Sequence, residues 1–224
     1  MFAKLPPVTR ALLVANVVLF LVFLMPGRAV AQLYEFLSLQ SLGTGGTLSG
    51  TSFYPWQLIS YAFLHDRNAP WHLIFNMLAL VMFGAQVEYH WGARRFSTYY
   101  FTTVVGAAIT QLAFAFTSVQ MGGEPYSTVG ASGGIFGLLL AYGMLFPHQR
   151  VMLLIPPVPM KARTLVIVYG VVELFMGITG TMPGVAHFAH LGGMLFGWLL
   201  IRHWRRRPPT RGGRGPRPRM RIVS

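Results

Sequence analysis

Six apolar segments, each near the length that crosses a bilayer as a helix, constrain the fold of this chain more than any other feature. A spanning helix needs about 20 mostly apolar residues. Of the 224 residues, 54% are hydrophobic and 10% are charged, whereas a soluble domain carries about 25% charged residues. The composition excludes an ordinary soluble enzyme and an intrinsically disordered chain, and it indicates an all-α polytopic membrane protein. The predicted spans are 9–25, 71–89, 96–117, 132–147, 164–181 and 185–203.

The connection between the first two spans, residues 26–70, is too long for a simple turn. Loops of this length usually have structure or function of their own, and we expect a partly embedded loop with short interfacial helices at 31–42 and 55–64. The first span has an alternative interpretation, because its basic start, apolar run and Ala29-Val30-Ala31 resemble a signal peptide with its cleavage site. Pro26-Gly27-Arg28 ends a run long enough to span, which favours the membrane helix.

The basic residues predict how the chain is oriented. With six spans, both termini and the loops after spans two and four lie on one side and carry almost all Lys and Arg, as cytoplasmic segments do. We therefore expect a multi-pass protein of the cell membrane with both termini in the cytoplasm. After the membrane domain, 1–203, residues 204–224 are rich in Arg, Pro and Gly and predict a disordered tail that contacts anionic lipid. Nucleic-acid binding by this tail is the weaker alternative.

Polar side chains inside the spans are few, and such residues are candidates for function because burying them in lipid is costly. Ser132 lies in Gly130-Ala131-Ser132-Gly133-Gly134, which has the G-x-S-x-G form of the nucleophile in α/β-hydrolases. Ser132, Glu173 and His190 also follow the order of that fold. However, the hydrolase needs a strand before the serine, whereas 121–129 is typical of a loop, and Glu173 lies among apolar residues. The sequence therefore disfavours a hydrolase fold.

Small residues on the fourth and sixth spans predict that these two helices approach closely. If the small faces pack together, His190 reaches Ser132, and an imidazole near a hydroxyl is the minimum for an activated serine nucleophile. The small residues are Gly133, Gly137 and Ala141 in the fourth span and Ala186, Gly193 and Gly197 in the sixth.

His72 and Asn76 are four residues apart and therefore share one face of the second span. Their side chains can donate hydrogen bonds to the oxyanion that develops in acyl transfer. A metal site is not expected, because the chain has no cysteine and no acid is predicted beside His72, His187 or His190. No cofactor is expected either.

Together these segments resemble the rhomboid family of intramembrane serine proteases, in its basic six-span form. The resemblance covers about 9–203. It implies a Ser132 nucleophile and a His190 general base acting as a dyad without an Asp, with an oxyanion hole formed by His72, Asn76 and the Ser132 backbone N–H. The matching motifs are Trp71-His72-Leu73-Ile74-Phe75-Asn76, Gly130-Ala131-Ser132-Gly133, and Ala189-His190-Leu191-Gly192-Gly193 with Gly197.

The resemblance also implies what the protein acts on. Its substrates would be transmembrane segments of other membrane proteins, cleaved near the outer leaflet where a helix unwinds. The main alternative is a catalytically inactive relative that binds membrane-protein clients, although such relatives typically lack the serine or the histidine. A small-solute transporter is a weaker alternative, since no inverted repeat is visible.

Further positions match the family one by one. Phe136 stands where many relatives carry a tyrosine against the catalytic imidazole, and with Gly133 and Gly193 it is expected to pack around the dyad. His65 is expected to be structural, and Glu88 matches an acid at the end of the second span. Gln57 follows Trp56 where the family often has arginine, which leaves the role of that arginine open. His187 is the competitor of His190, but it lies near the helix start and no glycine pair follows it.

Overall fold

A computed structural model describes residues 5–42, 52–152, 158–181 and 185–206. Within these ranges the chain forms eight α-helices and four short strands. A 3₁₀ turn, Tyr61–Phe63, follows α3, and α4 contains a π-helical turn, Leu80–Gly84. The helices are α1 Pro7–Phe23, α2 Arg28–Leu37, α3 Gln57–Ser60, α4 Pro70–Trp91, α5 Ala93–Gln120, α6 Ser132–Leu145, α7 Ala162–Thr179 and α8 His187–Arg206.

A helix lies at each of the six apolar segments. By length and composition, α4, α5 and α7 can each cross a membrane, and α1 and α6 are shorter apolar helices. The last of these apolar helices, α8, extends to Arg206, three residues beyond the predicted end of the span at 203. The rest of the predicted tail, 207–224, lies outside the described residues.

The connection between α1 and α4 differs in detail from the expected one. Helix α2 begins and ends earlier than 31–42, because Ser38 turns to extended backbone and Leu39–Gln40 form a strand, β1. This strand pairs antiparallel with β2, Ser127–Thr128, so the segment 121–129, expected to be only a loop, contains two residues of strand. Residues 43–51 lie outside the described part.

The described strands form two separate two-stranded ladders, β1 with β2 and β3 (Arg150–Met152) with β4 (Pro159–Lys161). The second ladder connects α6 to α7. An α/β-hydrolase needs a larger sheet that carries the serine on a strand-to-helix turn. The part of the chain that the structure describes therefore excludes the hydrolase alternative for the G-x-S-x-G motif.

Helix α8 packs most extensively against α5 and α6, through the small residues of all three helices. A Cβ atom added at Gly193 of α8 would overlap the carbonyl group of Gly133 in α6. Between α5 and α6, the Tyr99 hydroxyl donates a 2.7 Å hydrogen bond to the Gly137 carbonyl. These approaches bring the beginning of α6 next to the beginning of α8.

The beginning of α1 is fixed by Glu88, near the end of α4. One carboxylate oxygen of Glu88 accepts a 2.9 Å hydrogen bond from the Val8 backbone N–H, and the other accepts 2.7 Å bonds from the Thr9 backbone and hydroxyl. The first N–H groups of a helix have no partner inside the helix, and a carboxylate is favoured there. Glu88 therefore joins two helices that are distant in sequence.

Candidate active site

Ser132 and His190 lie in direct hydrogen-bonding contact. Ser132 is the first residue of α6, and His190 lies in the first turn of α8, on the face that packs against α6. Nε2 of His190 is 2.7 Å from Oγ of Ser132. Because the fourth and sixth apolar segments begin side by side, an imidazole is placed next to a hydroxyl that it can deprotonate.

One face of the His190 ring stacks against an aromatic side chain. Phe136, one turn after Ser132, lies parallel to the imidazole with 4.2 Å between ring centroids and 5° between ring planes. Tyr169 of α7 contacts the Phe136 ring edge-on, with centroids 6.0 Å apart. The imidazole can therefore rotate little about its bond to the backbone.

The other ring nitrogen of His190 contacts a carboxylate. Nδ1 of His190 is 2.9 Å from Oε2 of Glu173, and Nδ1 of His187 is 2.7 Å from the same oxygen. The sequence-based expectation that no acid accompanies these histidines was wrong, and Ser132 and His190 are not a pair without an acid. The apolar neighbours of Glu173 in the sequence do not indicate which face α7 turns toward α8, and therefore do not predict this contact.

The same three residues offer ligand atoms for a cation. One atom from each of Glu173, His187 and His190 lies within 4.8 Å of the others, and all three side chains are buried. Two imidazoles and one carboxylate are a donor set that zinc accepts. The absence of a neighbouring acid, on which the expectation of no metal was based, therefore does not hold. The short nitrogen–oxygen distances are also those of ordinary hydrogen bonds.

His72 and Asn76 lie on the opposite wall of the site, on α4. A Cβ atom at Gly130, whose φ of 129° favours glycine, would be 3.0 Å from Nε2 of His72 and 3.7 Å from Oγ of Ser132. The Asn76 side-chain amide donates a 2.7 Å hydrogen bond to the His72 carbonyl. An amide has two N–H groups, so the second can donate to another acceptor.

These residues line one large cavity of about 1220 Å³. Its walls come from the five helices α4 to α8 and the segment before α6, with further residues from α2 and β3, and most of its surface is apolar. The lining side chains include Ser132, His190, His72, Asn76 and Phe136. A cavity of this size can hold several residues of an extended peptide.

Comparison with known proteins decides the family. Residues 52–207 match the family model described as the Rhomboid domain. The chain belongs to the rhomboid family. The resemblance inferred from its motifs is therefore confirmed, and the protein is an integral membrane protein.

Several curated proteins are similar to this rhomboid over about two thirds of its length. "RHOMBOID-like protein 4" of Arabidopsis thaliana is 33% identical over 65% of this chain and 33% of its own length. "Rhomboid protein 1, mitochondrial" of Saccharomyces cerevisiae is 30% identical over 64% of this chain and 41% of its own. "Rhomboid protease GluP" of Bacillus subtilis is 31% identical over 64% of this chain and 25% of its own. The chain thus spans between a quarter and about two fifths of the length of these relatives.

Two residues that this rhomboid carries outside its three motifs have structural contacts. His65 is buried against the His72 ring, with centroids 5.2 Å apart, and burial together with this neighbour lowers the pKa of His65 to about 3. Gln57, at the position of the family's frequent arginine, accepts a hydrogen bond from the Gln40 N–H and donates one to the Phe36 carbonyl. Gln57 therefore ties α3 to the end of α2 and to β1.

His187, the competitor of His190, is the first residue of α8 and faces the same carboxylate. Its ring centroid is 6.4 Å from that of His190, and its Nε2 is buried without a partner among the described residues. The hydrogen bond with Oγ of Ser132 is made by Nε2 of His190, and not by His187.

Proposed function

We propose that this rhomboid is a serine endopeptidase that cleaves transmembrane segments of membrane proteins inside the bilayer. The observation that carries the proposal is the 2.7 Å contact between Oγ of Ser132 and Nε2 of His190. The contact lies in a cavity large enough for an unwound peptide segment. Inactive relatives typically lack the serine or the histidine, whereas this chain has both residues, and they are in contact.

The reaction uses Ser132 as nucleophile and His190 as general base and then general acid. As Oγ bonds to the scissile carbonyl carbon, its proton passes to Nε2 of His190 and the carbonyl electron pair moves onto oxygen. The carbon–nitrogen bond then breaks, and the same proton passes to the leaving amine, which gives an acyl-enzyme. Water, deprotonated by His190, releases the acyl group by the reverse sequence.

The negative charge on the carbonyl oxygen needs donors that are already in position. The backbone N–H of Ser132 is one candidate, because it lies at the start of α6, where helical N–H groups have no partner inside the helix. His72 and Asn76 are the side-chain candidates on α4. Gly130 leaves the space between His72 and Ser132 open.

The substrate reaches the site from the membrane, between α4 and α7, since both helices line the cavity. Their outward faces carry exposed apolar side chains, among them Trp71 and Phe75 on α4 and Phe175 on α7. Such faces match the apolar surface of a transmembrane helix. The backbone of the substrate must unwind before Ser132 can attack, because helical carbonyls are hydrogen-bonded and shielded by side chains.

The proposed arrangement has six spans, α1 and α4 to α8, in a membrane domain of residues 1–203 that leaves both termini in the cytoplasm of the cell. The cavity then opens toward the outside, where water is available for the second step. The basic tail that follows α8 contacts anionic lipid on the cytoplasmic side.

The test is a cleavage assay with the purified full chain in liposomes and a model transmembrane substrate. We expect Ser132→Ala and His190→Ala each to abolish cleavage, because nucleophile and base act as one unit. Ser97→Ala on α5 and His203→Ala at the end of α8 are matched controls that keep wild-type cleavage, since the half-buried Ser97 hydroxyl donates to the Ala93 carbonyl within its own helix and the His203 side chain is exposed.

Two results would contradict the proposal. Cleavage by Ser132→Ala at the wild-type rate would exclude Ser132 as the nucleophile. Stable binding of the substrate by the wild type, with no product at any substrate tested, would instead support the client-binding alternative.

A further inference from the structure

Glu173 is a carboxylate that the membrane-spanning helix α7 holds between two imidazoles. Among the residues of α7 it is one of two that carry charge, the other being Arg163 at the helix start. An acid inside a span is costly unless it is paired. Glu173 is buried, and its Oε2 lies 2.7 Å from Nδ1 of His187 and 2.9 Å from Nδ1 of His190.

This contact selects the protonation pattern of His190. A carboxylate only accepts hydrogen bonds, so a nitrogen at 2.9 Å from it carries the proton. A neutral imidazole with its proton on Nδ1 has an unprotonated Nε2. That nitrogen is the one 2.7 Å from Oγ of Ser132, where a base must accept a proton.

We propose that Glu173 is a positioning residue that holds His190 in its base-competent tautomer and stabilises the imidazolium formed during catalysis. The inference rests on the proposed function, because it concerns the same serine and histidine. It makes the site a chain of three groups, Ser132–His190–Glu173, instead of a pair. The third group comes from a helix outside the three motifs that define the family resemblance.

The charge balance of the reaction supports this role. When Nε2 takes the Ser132 proton, His190 becomes positively charged while Nδ1–H still faces the negative carboxylate. The new charge therefore forms beside an opposite charge in a buried site, where the attraction is screened less than in water. Without the carboxylate the same proton transfer would leave an unpaired cation next to apolar side chains.

His187 has a supporting role in this arrangement. Its shorter bond to Oε2 fixes the carboxylate oxygen from a second direction, so the oxygen that faces His190 cannot turn away. His187 lies three residues before His190 on α8, which places both rings on the side that faces α7. Both donors therefore come from one rigid element.

The first experiment compares Glu173→Gln with the wild type, in kcat and KM for a transmembrane substrate. Replacing the acid of a Ser-His-Asp triad by its amide lowers kcat by about 10⁴ in other serine proteases, because the wrong tautomer forms. We expect a fall of at least about tenfold here with KM changed less than about twofold, since the Phe136 stack still holds the ring. Glu173→Asp, which keeps the charge on a shorter side chain, should recover part of the rate.

Glu88→Gln is the matched control. It also removes a buried carboxylate, but Glu88 lies 12 residues after Asn76 on α4, about 18 Å away along the helix, and caps α1. We expect this variant to unfold at a lower temperature while its folded molecules keep the wild-type kcat. Glu173→Gln with a lower melting temperature and an unchanged kcat would overturn the inference.

A second measurement does not require any variant to be active. Nitrogen-15 chemical shifts of labelled histidine distinguish protonated from unprotonated ring nitrogens, and His190→Gln identifies the His190 signals. In the wild type, above the pH at which imidazole is charged, we expect the proton on Nδ1. A proton on Nε2 would overturn the inference, whatever the activity.

Metal binding by the same three residues is the competing interpretation. If chelation abolished cleavage by the wild type and zinc restored it, Nδ1 of His190 would be a metal ligand and the inference would be wrong. Cleavage that is unaffected by chelation supports a hydrogen-bonded carboxylate. Failure of the proposed protease function would be recognised separately, because the wild type would then cleave no better than Ser132→Ala while the Nδ1–H signal remained.

Discussion

Glu88 and Glu173 show how a chain with five acidic residues uses two of them inside its helical core. Each carboxylate has donors on another helix: the first turn of α1 for Glu88, and two imidazoles of α8 for Glu173. Breaking such a buried contact leaves a desolvated group unpaired, which costs about 1–3 kcal/mol, and more for a charge. The donors to the two carboxylates differ in one respect: of these groups, only the imidazole of His190, a donor to Glu173, is also placed to exchange a proton with Ser132.

Asn76→Ala separates packing from oxyanion stabilisation at the residue scale. The Asn76 amide already donates to the His72 carbonyl within α4, so a purely structural role predicts a lower melting temperature and unchanged chemistry. A role in the oxyanion hole predicts a fall in kcat, which is about 10²–10³-fold for one donor in other acyl-transfer enzymes. We expect a smaller effect here, a fall in kcat of at least about tenfold, because His72 and the Ser132 N–H remain as donors. KM and the melting temperature should change little. Unchanged kcat with a lower melting temperature would leave His72 as the side-chain candidate.

At this scale the sequence predicts contacts that follow from helix periodicity and fails where they depend on how helices rotate. Small residues every four positions mark the faces that bring Ser132 and His190 together, so periodicity alone is enough to infer their proximity. Glu173 has no such pattern around it, and its contact depends on which side of α7 faces α8. A single carboxylate inside an apolar span was nevertheless a usable signal, because burial of an unpaired acid is so unfavourable.

At the scale of elements, the packing of α8 on α6 determines whether the site forms. Gly193 and Gly133 allow the two backbones to approach until no Cβ fits between them. The sequence predicts the six apolar helices to within a few residues, since composition determines where a long apolar helix can lie. It missed the β1–β2 pairing, because two-residue strands depend on contacts between distant loops and leave no periodic pattern.

Gly193→Ala tests this packing. Alanine favours a helix over glycine by about 0.5–1 kcal/mol, but here the new methyl would overlap the Gly133 carbonyl, which belongs to the backbone and cannot turn aside. We expect a net loss of about 1–3 kcal/mol of stability and reduced cleavage, because Gly133 follows Ser132. Gly170→Ala in α7 is the matched control, since its methyl would lie 3.5 Å from the flexible Met194 side chain, and it should be neutral or stabilising. Equal melting temperatures for the two variants would contradict close packing as the reason for Gly193.

At the scale of the whole molecule, net charge and apolar length act together. The chain carries 18 Lys and Arg against five acids, and all of these basic residues except Arg28 and Arg67 lie at the termini or beside two of the connections between apolar helices. Such a distribution sets orientation during insertion, since basic loops are retained in the cytoplasm. Under the proposed function, orientation in turn decides whether the Ser132 cavity opens to the outside or to the cytoplasm, and therefore which substrates have access to it.

Reporter fusions test the orientation of the whole chain. We expect a reporter at either terminus, or in the loop at 147–149 before β3, to report the cytoplasm, because these segments lie beside the basic residues. A reporter inserted at 43–50 should report the outside, since that connection carries little net charge.

The alternative of a cleaved signal peptide makes a different prediction: purified protein would begin at Gln32, and an N-terminal reporter would be lost from it. An intact N-terminus with a cytoplasmic reporter, together with an external signal from 43–50, fixes an odd number of crossings before the loop. A cytoplasmic signal from 43–50 would reverse the proposed direction in which the cavity opens.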